Sequence, residues 1–556
     1  MYAIDSSALQ ASPIPVAKSI IIDTLKYSFN NTISSLLTKS PYYNERVQEK
    51  VNKFYEANAF QTQWLFDNAP SSLYYTIMDV LKNAVQYGLI PQDYDVTRIE
   101  ESLHSVYKNK TSITDIVDLD IHITEMYFLF TTHLLEGKVR NVGNRKNVWM
   151  RLNRDYPMTD VAILAQTEKP DQLLEGLSKL QPSNEQYSRL QKAFDLYLLL
   201  DESTPQDFPD ITVNGKIKPE ERNTAIPLIR KKLSLTDLKV YPMKFDSTTG
   251  SLDSVYYDET LVDAIKFFQW RHGLEPDGII GDKTLKFLNQ SFGEKADVIA
   301  LNMERMRWLP EGYGENYITI NVPEYKLRVY ENQKQELEMK VIVGASNKAT
   351  PIFSDELEHI VFSPTWTVPV SIIKEEIIPR LKENPEYYSN KNYTFYKNEV
   401  EIDPVYEDWN SDSINPYQYR IVQNPGSDNS LGLVKFVMPN NMSVYLHDTP
   451  NHRLFSKEYR ALSHGCVRLD EPARFAEYLL RDQKGWTSDR ISKAMNDSIP
   501  LTIHLKKRYQ VHIEYRTVWV DDNGVVNFRE DIYGHDKMQL TQLRPAENAS
   551  STFLGM

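Results

Sequence analysis

The amino-acid sequence predicts a multidomain α+β protein with a mainly helical N-terminal part and a β-rich C-terminal part. Its 556 residues are too many for one hydrophobic core. Apolar residues recur with helical spacing up to about residue 220, and they alternate with a period of two from about residue 315. A hydrophobic content of 41% can fill large cores, so most of the chain is expected to fold.

These changes of period predict four segments. They are a helical region (1–222), a small three-helix module (223–292), a β-rich domain (293–510) and a C-terminal hairpin with a poorly ordered tail (511–556).

The helical region shows two clear helix signals. Tyr187, Leu190, Phe194 and Tyr197 follow helical spacing in a segment without Gly or Pro, and the apolar stretch 121–135 stops before a glycine. In the module, an apolar stripe formed by Leu261, Ala264, Ile265 and Phe268 predicts another helix.

In the β-rich domain, alternating apolar residues at 325–329 and 337–343 flank a turn and predict a hairpin. Further strands are expected at 360–368, 433–437 and 443–447. At about 371–421 the alternation breaks, and tyrosines crowd among Asn and Pro. This insertion is expected to be either a lid or substrate platform, or an excursion that packs only on itself.

Composition excludes several functions. A net charge of −13 argues against nucleic acid as a main partner, because phosphate binding needs a basic surface. No apolar run is long enough for a membrane-spanning helix. Residues 1–6 do not resemble a secretory signal, so we expect either a cytoplasmic protein or an envelope protein whose signal has been removed.

The single cysteine, Cys466, is either a small buried hydrophobe or a thiol kept for its reactivity. A thiol becomes a strong nucleophile as the thiolate, which needs a base or a positive potential nearby. Both His464, two residues earlier, and His447, nineteen residues earlier, could supply that base. Gly465 lets the chain bend, so that its amide and that of Cys466 could face an oxyanion.

Strand periodicity predicts that Ser443, Tyr445 and His447 share one face of a strand, while Val444 and Leu446 pack inward. We expect the polar face to point at the loop that carries Cys466. A solvated histidine on a strand edge is the alternative interpretation of His447.

His447, fifteen intervening residues and then Ser463-His464-Gly465-Cys466 resemble the signature of the YkuD-type L,D-transpeptidases. Residues 364–369, 423–426, 429–432 and 445–450 are similar to the large periplasmic subgroup of that family. This subgroup combines a helical scaffold region, a peptidoglycan-binding module and a catalytic domain with a capping insertion. The sequence around Phe267–Gly281 likewise resembles the peptidoglycan-binding module, which either binds glycan or serves as a spacer.

The resemblance implies a murein L,D-transpeptidase of the periplasm or cell envelope that forms 3–3 crosslinks between peptidoglycan stems without a metal or cofactor. Cys466 would be the nucleophile and His447 the base, with Ser463, His464 and Gly465 supporting the site. It further implies substrate contacts by Tyr445, Arg468 and Trp366, and acylation by carbapenem-type β-lactams. Many members of the family have Asn at the position of Arg468, whose guanidinium could hold a substrate carboxylate or pair with Asp470 or Glu471.

Two other function classes remain open from the sequence. His447, His452, His464 and Cys466 could bind zinc as a hydrolase site, although no H-E-x-x-H or C-x-x-C pair is present. A wall-binding protein without activity would depend on residues 223–292 alone, and it would leave the segment 463–468 unexplained.

Overall fold

A computed structural model describes residues 45–545, with gaps at 67–68, 109–111, 141–148, 150–157, 206–207, 237–239, 242, 244, 247–250, 310–311 and 390. The start of the chain and the end of the predicted tail, residues 546–556, lie outside the described residues. Within the described ranges the structure confirms the α+β class, with a mainly helical part before about residue 315 and a β-rich part after it.

The N-terminal region is helical, as predicted. Its helices are α1 (Glu45–Ala57), α2 (Ser72–Lys82), α3 (Val96–Lys108), α4 (Ile113–Glu136), α5 (Thr159–Ala165), α6 (Pro170–Lys179) and α7 (Glu185–Ser203). Helix α4 begins with a capping box at Ser112 and ends at Gly137, as its sequence indicates. No helix in the described part of the chain is both long enough and apolar enough to span a membrane.

The module contains the three helices α8 (Ile226–Ser234), α9 (Glu259–Arg271) and α10 (Asp282–Asn289), with a small hairpin of β1 (Phe245–Asp246) and β2 (Ser251–Leu252) after α8. The predicted apolar stripe of α9 is buried in the module's own core. Ile211 and Ile217 belong to that core, and Ile217 forms a bridge with Ile280. The packed unit therefore begins before the predicted boundary at residue 223.

The β-rich domain is built on a sheet in which, among the described residues, nine strands follow the order β13-β5-β14-β12-β11-β6-β15-β3-β4. The strands are β3 (Asn316–Asn321), β4 (Lys326–Glu331), β5 (Lys334–Gly344), β6 (Phe353–Phe362), β11 (Val434–Val437), β12 (Leu446–His447), β13 (Ala461–Ser463), β14 (Val467–Leu469) and β15 (Leu501–Glu514). Strand β4 also pairs with β5, so the sheet closes on itself. Helices α14 (Pro472–Leu480) and α15 (Ser488–Met495) cover its core.

The predicted bounds of two strands are wrong. The strand expected at 360–368 is interrupted after Phe362, because Ser363 has a φ of 45° and the chain turns there. The strand expected at 443–447 contains only Leu446 and His447, because Ser443 has a φ of 58°. Alternation in the sequence cannot reveal a single residue in the left-handed region.

The insertion forms a subdomain with its own sheet, in the order β7-β10-β8-β9, and its own core. Its elements are β7 (Trp366–Thr367), α12 (Val370–Ile372), a π-helical turn (Ile373–Ile377), α13 (Ile378–Glu383), β8 (Tyr393–Lys397), β9 (Val400–Ile402) and β10 (Tyr419–Gln423). Trp409 and Tyr419 are buried in this core, whereas Tyr406 and Tyr417 are 89% and 81% exposed. Self-packing therefore explains some of its aromatic residues, but not all of them.

The predicted C-terminal segment 511–556 does not stand apart from the rest of the chain. Strand β15 runs across the predicted boundary at residue 510 and lies within the main sheet. The hairpin of β16 (Val518–Val520) and β17 (Val526–Phe528) packs against α7 and against α11 (Phe292–Met306). Helix α11, which the sequence placed at the start of the β-rich domain, thus shares its core with the helical region.

The prediction of a poorly ordered tail from Gln539 onward is wrong for the first residues of that tail. Helix α16 (His535–Leu543) contains Gln539, which is fully buried and accepts hydrogen bonds from Arg305 on α11. Periodicity predicts the type of an element, but it does not identify the core that buries the element.

Candidate active site

Cys466 lies in the short loop between β13 and β14 and is partly exposed. Its thiol donates a hydrogen bond to the carbonyl of Ser443 at 3.7 Å. That carbonyl is presented by the left-handed conformation of Ser443. The side chain of Asn440 holds the turn by accepting hydrogen bonds from the amides of Met442 and Val444.

The loop that carries the thiol is fixed by hydrogen bonds from both of its sides. Ser463 Oγ donates to the carbonyl of Cys466 at 2.6 Å and accepts from the amide of Gly465 at 3.1 Å. The buried hydroxyl of Thr350 donates to the carbonyl of Gly465 at 2.8 Å. The hydroxyl of Tyr533 bonds the adjacent backbone at Gly344 and Thr350, so the C-terminal segment also supports this loop.

These contacts bear on the oxyanion site expected from the amides of Gly465 and Cys466. The amide of Gly465 already donates to Ser463 Oγ, while within the described residues the amide of Cys466 has no recorded acceptor. In this conformation only the amide of Cys466 is free to bind an oxyanion.

Gly465 has a φ of 119°, a conformation that side chains rarely adopt. A Cβ at this position would meet nothing closer than the carbonyl oxygen of Lys348 at 3.7 Å. Gly465→Ala is therefore expected to act through backbone strain, at about 1–3 kcal/mol. Chemical denaturation should show a loss of that size, together with slower acylation of Cys466. Unchanged stability and unchanged acylation would contradict this account.

Strand register places the predicted residues on one face of the sheet. Strands β12 and β14 are parallel, with Leu446 opposite Val467 and His447 opposite Arg468. Leu446 and Val467 are buried in the core. Because side chains alternate along a strand, Tyr445, His447 and Arg468 lie on the opposite face, and Cys466 lies beside Tyr445 at the start of β14. The predicted division between a polar and an aliphatic face is therefore found even though the strand is short.

His447 is buried, so it is not the solvated edge histidine of the alternative interpretation. Its Nδ1 bonds the carbonyl of Asp448 at 2.5 Å, an arrangement in which Nδ1 carries the proton, and the backbone of Leu431 is a second hydrogen-bond neighbour of the ring. The pKa of His447 is lowered to about 3, mainly by burial and secondly by the positive charge of Arg468. The imidazole is consequently neutral at physiological pH, as a general base requires.

Burial also raises the pKa of the Cys466 thiol above its usual range, although hydrogen bonds from Tyr445 and the charges of Arg468 and Lys435 oppose this effect. The resting pair is thus a neutral thiol and a neutral imidazole. Such a pair becomes reactive when the base removes the thiol proton during attack, and nearby cations stabilise the thiolate that forms.

Tyr445 and Trp366 lie together at this face. The hydroxyl of Tyr445 has both Cys466 and the Trp366 side chain as hydrogen-bond neighbours, and burial raises the pKa of Tyr445 well above its usual range. The rings of Tyr445 and His447 are 5.7 Å apart in an edge-on contact. Trp366 begins β7 of the insertion, so the insertion reaches Tyr445, which neighbours the nucleophile.

His464 points away from this cluster. Its Nε2 contacts the carboxylate of Glu376, which lies on the π-helical turn of the insertion. Lys348 reaches Glu375 and Glu376 at 3.1 and 3.3 Å and completes this ion-pair group. The geometry ties the insertion to the nucleophile loop. That His464 supports the site stays a prediction.

The four residues of the zinc alternative are directed to different partners. His452 lies 3.3 Å from the carboxylate of Asp448, while His447 and His464 have the contacts given above. Among the described residues there is no cluster of three or more His, Cys, Asp or Glu side chains with the arrangement of a metal site.

Arg468 makes no ion pair with Asp470 or Glu471, and Glu471 instead pairs with Arg474 at 2.9 Å. Its Nε is buried and has no hydrogen-bond partner in the described structure. The internal ion pair considered from the sequence is therefore not formed.

Sequence reasoning missed several residues of this site, among them Glu376, Lys435, Asn440 and Asp448. Lys435 lies on β11 directly opposite His447. The sequence does mark Lys435 as unusual, since it is a lone charged residue between Val434 and Phe436 in an apolar strand. The roles of Glu376, Asn440 and Asp448 depend on hydrogen bonds between segments or to the backbone, which no spacing pattern reveals.

Comparison with known proteins matches three parts of the chain to family models. Residues 315–491 match the L,D-transpeptidase catalytic domain of the YkuD family. Residues 49–194 match a scaffold domain, and residues 238–288 match a "Putative peptidoglycan binding domain".

Among curated proteins, a "Putative L,D-transpeptidase" of Haemophilus influenzae is 36% identical over 240 residues. The match covers 43% of this chain and 48% of that protein, so the chain matches about half the length of its relative.

Two solved structures are also similar. One is an L,D-transpeptidase (residues 123–326) from Xylanimonas cellulosilytica, with 11% identity and a TM-score of 0.17 over 55% of this chain and 99% of the other. The second is a fused Zn-dependent amidase/peptidase/peptidoglycan-binding domain-containing protein from Clostridium acetobutylicum, with 12% identity and a TM-score of 0.14 over 54% and 99%.

The matched segments define a multidomain protein that combines a scaffold region, a peptidoglycan-binding-type module and a catalytic domain. Residues 315–491 are accordingly similar to the catalytic domain of the YkuD-type L,D-transpeptidases.

Proposed function

We propose that this protein is a murein L,D-transpeptidase that joins peptidoglycan stems through 3–3 crosslinks, with Cys466 as nucleophile and His447 as base. The observation that carries the proposal is the placement of a neutral, oriented His447 on β12 and of Cys466 directly before the adjacent strand β14, within the segment that matches the YkuD catalytic domain. Nε2 of His447 is the ring atom left to accept a proton.

In the acylation step, Nε2 of His447 takes the thiol proton while Sγ attacks the carbonyl carbon of the third residue of a tetrapeptide stem. The tetrahedral oxyanion accepts a hydrogen bond from the amide of Cys466. Collapse of this intermediate breaks the peptide bond, and His447 passes the proton to the departing amine of the terminal D-alanine. The product is a thioester on Cys466 and a free amino acid.

In the second step, the amine of a neighbouring stem attacks the thioester carbonyl. His447 accepts a proton from that amine and returns it to Sγ, so a new amide bond forms and the thiol is regenerated. The positive charges of Lys435 and Arg468 disfavour a lasting imidazolium, which supports prompt transfer of each proton.

The same domain matches are the basis for the proposed partners, inhibitors and cellular compartment. Its partners are peptidoglycan stems and glycan, carbapenem-type β-lactams are covalent inhibitors, and the compartment is the periplasm or another part of the cell envelope. The match of residues 238–288 to a peptidoglycan-binding-type domain supports wall attachment. We propose a stem amine as the acceptor. Water, free D-amino acids and a protein lysine use the same acyl-enzyme and are the alternative acceptors.

Incubation with defined tetrapeptide donors, followed by mass spectrometry of the muropeptides, tests this function. The expected products are dimers linked through two third residues, with one D-alanine released for each bond. Hydrolysis to tripeptides alone would overturn the crosslinking role. Attachment to cell-wall sacculi that is unaffected by loss of Cys466, with no new crosslinks in any assay, would favour the non-enzymatic wall-binding alternative.

A further inference from the structure

A large cleft lies where the helical N-terminal region and the three-helix module meet. Its volume is about 1110 Å³, which is ample for an oligomeric ligand because ligand pockets usually measure roughly 300–1,000 Å³. The helical region contributes Gln92 and Asp95 to its lining, and the module contributes Lys232 of α8 and Asn289 at the end of α10. None of the lining residues is among those that surround Cys466. The cleft is therefore separate from the candidate active site.

Hydrogen bonds hold the walls of this cleft in place. The side-chain amide of Asn289 exchanges two hydrogen bonds with the backbone of Ile211, at 2.9 and 3.0 Å, and fixes the segment that leads into the module. Asp201, near the end of α7, accepts from the amide of Gly293 at 2.6 Å and joins α7 to the first turn of α11. A Cβ at Gly293 would lie 2.7 Å from the Asp201 carboxylate, so these two helices are in close contact. The cleft is thus a preformed space between packed elements.

Lys232 brings a positive charge into the cleft from the module. The residue is 9% exposed, and its Nζ lies 4.9 Å from the centre of the Phe208 ring and 4.8 Å from that of Phe292. Within the described part of the chain this Nζ has neither a hydrogen bond nor an ion pair. Burial lowers the pKa of Lys232, and the negative charges of Asp201 and Asp210 oppose that effect. The donors of the ammonium group are therefore available to a ligand in the cleft.

The lining of the cleft suits an N-acetylated sugar. Pro205, Phe208 and Phe292 offer apolar faces against which the C–H groups of a sugar ring can pack. The exposed carboxylate of Asp210 can accept hydrogen bonds from hydroxyl or amide groups, and the ammonium of Lys232 can donate to a carbonyl. An acetamido group presents one N–H donor and one C=O acceptor, so it can use a carboxylate and an ammonium at the same time.

We propose that this cleft binds the N-acetylated glycan strand of peptidoglycan, with Lys232 donating to an acetamido carbonyl and Asp210 accepting from hydroxyl or acetamido N–H groups. The proposal rests on the proposed function, because its ligand is the polymer whose stems the enzyme is proposed to join. The match of residues 238–288 to a peptidoglycan-binding-type domain concerns the module alone. Because Gln92 and Asp95 belong to the opposite wall, the cleft makes the helical region part of the glycan-binding surface as well.

The test is a calorimetric titration of the full chain with chitotetraose, a linear oligomer of N-acetylglucosamine, and with cellotetraose, which has hydroxyl groups in place of the acetamido groups. Neither oligomer contains a peptide, so neither can react with Cys466. Wild type is expected to bind chitotetraose more tightly by about 10- to 150-fold, the effect of one charge-assisted hydrogen bond. Lys232→Met should remove most of that difference, and Asp210→Asn should reduce it. Lys266→Met, at an exposed position of α9 outside the cleft, is the matched control and should bind as wild type does.

Thermal unfolding of each variant separates a lost contact from a lost fold, and the exposed position of Asp210 keeps the test usable if Lys232→Met does not fold. The module also exposes two stacked rings on α9, Phe267 and Trp270, with centres 5.7 Å apart. Loss of chitotetraose binding in Trp270→Ala, with normal binding in Lys232→Met, would overturn the cleft and assign the sugar to those rings. Equal affinity of wild type for the two oligomers would also overturn it.

The test separates this proposal from the proposed function. If tetrapeptide donors are not turned over while wild type prefers chitotetraose and Lys232→Met does not, the crosslinking function fails and the glycan cleft stands. Crosslinking of tetrapeptides by a protein that shows no such preference would have the opposite meaning, and the cleft would be overturned.

Discussion

Cys466→Ala is expected to abolish tetrapeptide-dependent crosslinking while leaving the fold intact. Loss of a nucleophile in covalent catalysis costs on the order of 10⁶ in kcat, because the remaining groups cannot form an acyl-enzyme. The thiol donates a hydrogen bond to the carbonyl of Ser443, has Tyr445 as a second neighbour and is partly exposed. Its removal should therefore change the free energy of unfolding by less than about 1 kcal/mol. Product analysis and thermal unfolding measure the two effects.

Intact-mass measurement gives an independent check on the nucleophile. A carbapenem-type β-lactam should add once to the wild-type protein and not at all to Cys466→Ala. Ser443→Ala is a suitable control, because it keeps the carbonyl that accepts from the thiol and should be acylated normally. An adduct on the Cys466→Ala protein would mean that another residue is the nucleophile.

The type of most elements could be predicted from the sequence, because periodicity reflects which side chains are buried. The helix that ends at Gly137 and the buried stripe of α9 are examples. The assembly of cores could not be predicted in this way. Helix α11 and the β16–β17 hairpin have ordinary patterns, yet both are buried against α7 from the distant N-terminal region.

The candidate reacting groups could be proposed from the sequence for a different reason. A nucleophile, its base and a flexible glycine must be close together, and here His447 lies on β12 while Gly465 and Cys466 lie in the loop before the adjacent strand β14, close to His447 in sequence as well. The supporting residues come from farther away. Glu376 reaches His464 from the insertion and Tyr533 reaches the loop from the C-terminal segment, and both contacts exist only because the chain folds back on itself.

The insertion also became clearer only in the structure. Its sequence allowed either a lid or a self-packed unit, and the structure shows a core of its own together with contacts near the nucleophile loop. Trp409 and Tyr419 are buried in the insertion's own core. Trp366 contacts Tyr445, and Glu376 contacts His464 of the nucleophile loop. A rigid unit with two contacts beside the thiol is suited to covering a bound stem and excluding water from the thioester.

His447→Ala is expected to lower kcat/KM for the tetrapeptide donor by roughly 10² to 10⁴, the usual cost of losing a general base. The variant should also change the pH dependence of the reaction. Without the base, attack depends on the small fraction of thiolate, because burial raises the pKa of Cys466. Its rate should therefore rise about tenfold per pH unit from pH 6 to 8, since each unit raises the thiolate fraction tenfold.

The wild-type protein should behave differently, because the active form of His447 is neutral and its pKa is lowered to about 3. A lowered pKa keeps the imidazole neutral as the pH falls through the range in which an ordinary histidine is protonated. We therefore expect kcat/KM of the wild type to stay nearly constant from about pH 8 down to about pH 5.

His464→Ala is the matched histidine control, since the ring of His464 contacts Glu376 and not the nucleophile. It should lose stability and some rate but keep the flat profile. A flat profile in His447→Ala together with a steep one in His464→Ala would assign the base to His464 instead.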